Sequence, residues 1–100
     1  MGIIAWFRKR RLQRQKKSQA LRLSEIRVGL QKIKRRQPQM RSMIDPELTR
    51  IRELRRQLTK VKTEDELQSW LSLFKMCVPV FNVLLNNPQM HSETTNDLPP

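Results

Sequence analysis

The chain has 100 residues, so it holds one small domain at most, and a chain of that size buries only about 60–65 % of its surface. Lys and Arg number 21 against 9 Asp and Glu, giving a formal net charge of +12 and a pI near 11.3. Cys77 and His91 are the only cysteine and histidine, which excludes a disulfide-stapled scaffold and leaves a tetrahedral zinc site without ligands.

The apolar start Gly2–Phe7 is too short for the core of a secretory signal, and the basic block follows it instead of preceding it. The most apolar stretch, Trp70–Leu85, is interrupted by Lys75 and Pro79 and falls short of the about 18 residues a membrane span needs. The expectation is therefore an all-α protein of a reducing compartment, nucleus or cytoplasm, neither secreted nor membrane-spanning. The charge is uneven. Residues 1–44 carry 14 Lys/Arg and one acid, Glu25, for +13; residues 45–75 sum to +1 and residues 76–100 to −2. That asymmetry divides the chain into a basic arm or helix at 1–37, a linker at 38–44, a packing and oligomerisation module at 45–87, and a disordered tail at 88–100.

Residues 8–36 read as a helix, because Arg, Lys, Gln, Leu and Ala are good helix formers and Gly29 is the one breaker. Leu12, Leu23, Ile26, Leu30 and Ile33 fall within one arc of about 80°, and the last four recur at three, four, three, as in a short coiled-coil seam. Pro38 disfavours helix at Gln37 and ends the element. Met40, Met43 and Ile44 in the linker are placed to tuck over the helix ends. Asp45-Pro46-Glu47 has the form of an N-cap, a first-turn proline and an acid on the positive helix end, so a second helix is expected over 46–62.

In that helix Ile51, Leu54, Leu58 and Val61 repeat the three, four, three spacing, so an antiparallel hairpin buries both seams. Thr63-Glu64-Asp65-Glu66 fits a capping box and opens a third, apolar helical segment over 64–85, which Pro79 is expected to split. Trp70, Leu71, Phe74 and Phe81 are its candidate core or interface residues. The segment is apolar nearly all round, and two seams of four residues cover little of it, which argues for a homo-oligomer or a partner protein docking through 70–85.

The block Arg8-Lys9-Arg10-Arg11, with Arg14, Lys16 and Lys17 behind it, is the most informative motif. Guanidinium forks bind phosphate bidentately and stay charged, so a dense helical array suits a nucleic-acid backbone. Lys32, Lys34, Arg35 and Arg36 extend the candidate footprint, and both clusters have the general form of a nuclear-import signal. No ribonucleoprotein-type aromatic motif accompanies them, so contact with the backbone, RNA before DNA, is the expected mode. The layout is shared by many small accessory proteins, viral ones among them. A second reading is a peripheral membrane protein, with Ile3, Ile4, Trp6 and Phe7 entering an anionic interface beside the same cations. No catalytic set, metal spacing or cofactor motif is visible, so a non-enzymatic binding protein is expected.

Overall fold

The computed structural model describes residues 2–86; the tail expected at 88–100 lies outside the described residues. The fold is all-α. Three helices, α1 (Gly2–Arg36), α2 (Arg41–Lys60) and α3 (Glu64–Leu85), run up, down and up, and a 3-10 turn at Pro38–Met40 joins the first two.

α1 and α2 form the expected antiparallel hairpin. Its register is set at one end by the Lys34–Asp45 pair at 2.6 Å and at the other by Lys16, whose Nζ donates to the Val61 carbonyl at 2.7 Å. Leu12, Leu23, Leu30 and Ile33 of α1 are buried with Ile51, Leu54, Leu58 and Val61, while Ile26 is half-buried against them.

The connection differs from the expected seven-residue linker. Gln37 leaves the helical region (φ −129°, ψ 80°), as a residue before proline must, and Pro38 then opens the 3-10 turn that leads straight into α2 at Arg41. Helix at Arg41–Ile44 buries Ile44 and places it in the core beside Met40; Met43 points outward and does not tuck in. Asp45 is consequently not an N-cap. It lies inside α2, where its carboxylate receives Lys34 and Arg41, and Pro46 sits within the helix as well. The hydrogen bond that Pro46 cannot donate leaves the Ser42 carbonyl open where both residues are exposed, so water satisfies it. Glu47, expected in the first turn on the positive helix end, lies further inside α2 and is buried, 3.8 Å from the exposed Arg50.

α2 ends at Lys60, not 62, yet Val61 in the extended cap position still reaches the core. Thr63 then caps α3 as expected: its Oγ1 accepts from the Glu66 amide at 3.1 Å and donates to the Glu66 carboxylate at 3.2 Å. α3 continues unbroken through Pro79. Lys75, whose carbonyl loses its partner there, is exposed, so solvent absorbs the loss.

One side of α3, formed by Leu67, Trp70, Phe74, Phe81 and Leu84, closes over the hairpin; Leu71 is half-buried at its edge. The Trp70 indole N–H donates to the Leu54 carbonyl at 2.8 Å in the buried interior, using the lone pair that the α2 ladder leaves free. Gly29 lets α1 and α3 approach closely, since a Cβ there would lie 2.7 Å from Leu85 Cδ2.

α3 has 22 residues because it begins at Glu64, and among the described residues it is the one helix long and apolar enough to cross a membrane by length and composition. Counting from Trp70 alone had placed it below that length. The core helix of a small bundle meets the same criterion, and α3 here packs its widest residues on α1 and α2.

Trp70→Phe is expected to cost about 1–2 kcal/mol, for one buried hydrogen bond and a slightly smaller ring. Trp70→Ala is expected to cost about 3–5 kcal/mol. Urea unfolding followed by circular dichroism checks both; a Trp70→Phe variant as stable as the parent would deny the indole its role.

Candidate nucleic-acid interface

α1 is helical from Gly2, six residues earlier than its composition predicts, so the apolar tip and the basic block share one continuous 35-residue rod of about 52 Å. Its first buried residue is Leu12. The first two and a half turns therefore carry no core residue, and their foot lies beside the α2–α3 connection, where Ala5, Arg8 and Arg11 share a shallow groove with Lys62, Thr63 and Glu64.

Four consecutive cations on a helix step round it by about 100° each, so Arg8, Lys9, Arg10 and Arg11 form a collar. The collar is not uniform. Arg8, Lys9 and Arg11 line the groove that also holds Glu64 and Asp65 at the start of α3, which lowers the local potential. Arg10 lies on the open side with Arg14 and Lys17, in a groove that also includes Trp6 and Gln13. The Arg10 guanidinium lies over the Trp6 ring at 4.7 Å, and Phe7 meets that ring edge-on at 5.0 Å.

Helical geometry sets Arg10, Arg14, Lys17, Lys32 and Arg35 within an arc of about 60° on the side of α1 remote from the core. Leu21 and Val28 stand exposed on that arc between Lys17 and Lys32. On that arc the cations thus form two patches, one from Arg10 to Lys17 and one from Lys32 to Arg35, rather than an unbroken stripe.

Two of the expected phosphate contacts serve the fold instead. Lys16 lies on the inward line of α1 between Leu12 and Leu23, and its ammonium caps the last carbonyls of α2, donating to Val61 and, at 3.4 Å, to Thr59. Those carbonyls have no intrahelical partner, and a cation favours the negative helix end. Lys34 is held by Asp45, which Arg41 also approaches at 3.4 Å. The Lys34 hydrogen bond, opposed by partial desolvation and supported by the Arg41 charge, keeps the Asp45 carboxyl below the ordinary aspartate value.

Arg8, Lys9, Arg11, Arg14, Lys17, Lys32, Arg35 and Arg36 make no ion pair among the described residues. Sequence reasoning left out further cations of this kind, Arg27, Arg52 and Arg55 among them. Arg27 lies on the α2 side of α1, and the hairpin register brings it level with Arg50–Arg52. Glu47 and Glu53 pair with Arg50 and Arg56 at three residues' spacing, which leaves Arg52 and Arg55 exposed and without an ion pair among the described residues. That three-residue spacing is readable in the sequence and was the available signal. Their nearness to α1 was not.

Among the described residues no group of three or more His, Cys, Asp or Glu side chains gathers to hold a metal ion, and Cys77 is half-buried in α3. The arrangement offers positive charge, exposed aromatic rings and no converging acid–base set. Comparison of the chain with protein families, curated proteins and solved structures finds no match.

Because the Asp45 carboxyl titrates below its unfolded value, its ion pairs add stability above that value and lose it as pH falls through the depressed one. Acid unfolding below about pH 4 is therefore expected to lose one pH-dependent step in Asp45→Asn. At neutral pH the same variant is expected to be less stable than the parent. Equal thermal midpoints at pH 7 and pH 3 in the parent would contradict this.

Proposed function

We propose that this protein binds nucleic acid, RNA in first place, through the exposed cations of α1, as a non-enzymatic accessory factor. The observation that supports the reading is electrostatic. α1 carries 13 Lys/Arg and a single acid, and apart from Lys34 none of its cations finds a carboxylate among the described residues. Self-repulsion of that size is relieved by an extended polyanion, whose phosphates recur every few ångströms along the rod. Backbone contact is the proposed mode, with Trp6 and Phe7 available to stack on an unpaired base at one end.

The salt dependence of affinity tests the reading. Each phosphate contact contributes about 0.7–0.9 to the slope of log K against log[salt], so replacing Arg10, Arg14 and Lys17 by Ala is expected to reduce it by about 2–3. Lys16→Met is expected to lower thermal stability and change the slope by less than about one unit. Affinity that does not vary with salt, or an unchanged slope in the triple variant, would sink the proposal.

A second reading rests on one specific observation. Ile3, Ile4, Trp6 and Phe7 are all at least half exposed on the first turns of the rod, immediately before the cationic collar. An apolar helix end followed by a ring of cations suits end-on entry into an anionic lipid interface. Replacing Ile3, Ile4, Trp6 and Phe7 by Ser is expected, on this reading, to abolish sedimentation with anionic vesicles and leave RNA affinity within about twofold. Vesicle binding that is absent in the parent, or unaffected by the change, removes it.

A further inference from the structure

α3 has a second apolar side that the bundle does not use. Leu73, Met76, Val80 and Val83 follow one another at three, four, three, and all four are exposed, Met76 at 76 % and Val83 at 64 %. Trp70, Phe74 and Phe81, expected in the core or at an interface, lie on the other side and belong to the core.

We propose that a second copy of this chain covers this face, α3 packing against α3 in antiparallel orientation. Three observations select that occupant. The spacing is that of a two-helix seam, in which each side chain enters a gap between neighbours on the facing helix, and a two-fold axis lets one such row complement itself. From Leu67 to Leu85 the helix carries one charge, Lys75, which lies off the seam, so two copies meet here without the repulsion that a +12 chain imposes elsewhere.

The third observation fixes the direction. α3 begins with the exposed acids Glu64, Asp65 and Glu66. A two-fold axis midway between Met76 and Val80 keeps the acids of the two copies at opposite ends of the seam. Parallel pairing would instead set the acids of one copy against those of the other. The seam is only about 15 Å long, short of the about 800 Å² per partner of a standard interface, so a weak dimer with a micromolar Kd is the expectation.

The test is sedimentation of the full chain at high salt, free of nucleic acid, up to about 100 µM. The parent is expected to show a monomer–dimer equilibrium. Met76→Lys and Val80→Glu, both at exposed positions, are expected to keep the parent's circular dichroism and weaken association by about tenfold or more each. In the antiparallel arrangement Met76 opposes the partner's Val80, so mixing the two variants places Lys against Glu at one contact and leaves the other native. The mixture is therefore expected to associate more tightly than either variant alone.

A parent that stays monomeric, or folded variants that dimerise as the parent does, overturns the proposal. So does a mixture that fails to recover. Sedimentation of a monomeric parent with phosphatidylcholine–phosphatidylserine vesicles, lost in both variants, would make lipid the occupant and overturns it as well. Each outcome is independent of what α1 binds.

Discussion

The seating of α3 in the groove between α1 and α2 is the contact on which the rest of the molecule depends. Leu67, Trp70, Phe74, Phe81 and Leu84 supply the large apolar side chains that the two leucine and isoleucine rows cannot provide alone. A four-residue row on each of two helices buries too little to offset the entropy of ordering more than 50 residues. The Trp70 N–H bonded to the Leu54 carbonyl sets how far α3 is advanced along α2. Gly29 leaves room on α1 for the end of the Leu85 side chain.

With α3 seated, the charges of the molecule sort into those the fold uses and those it leaves over. Lys16 and Lys34 tie α1 to α2 at its two ends, and Arg22 lies over the Phe74 ring at 5.4 Å on the α3 side. Each of these lies on or beside the inward line of α1. The cations on its outer arc meet no carboxylate among the described residues: Asp45, Glu47 and Glu53 are committed to pairs, and Glu64, Asp65 and Glu66 lie in the first turn of α3. The bundle thereby holds a repelling row of cations in helical form. An external polyanion relieves the same repulsion from outside, which is the physical basis of the proposed activity.

The polar–apolar pattern was sufficient for much of this. The three, four, three rows, the proline stop at Gln37 and the Thr63 cap are local signals with local causes, and each stands where its residues place it. Where local signals competed, the sequence misled. Asp45-Pro46 has the form of a helix start, but burying Ile44 and Met40 requires the helix to begin at Arg41, and the apolar burial outweighs the cap. Pro79 resembles a break, but losing one solvent-facing hydrogen bond is a smaller cost than unseating Phe81 and Leu84. The tip at Ile3–Phe7 was set apart from the helix because its composition changes there, although nothing in those residues stops a helix.

By itself, the sequence determined the helical class, the hairpin, and the concentration of positive charge in the first 44 residues, because helix propensity, seam spacing and charge are properties of residues near one another in the chain. Only the tertiary structure decided which cations are spent and which are free, since Lys16 and Lys34 differ from Lys17 and Lys32 in facing α2 and not in composition. It likewise divided the apolar run of α3 into a buried side and an open one. A helix that is apolar nearly all round has no intrinsic inner face. The apolar rows of α1 and α2, with the Leu54 carbonyl as acceptor for Trp70, took Trp70 and Phe74 into the core and left Leu73, Met76, Val80 and Val83 outside.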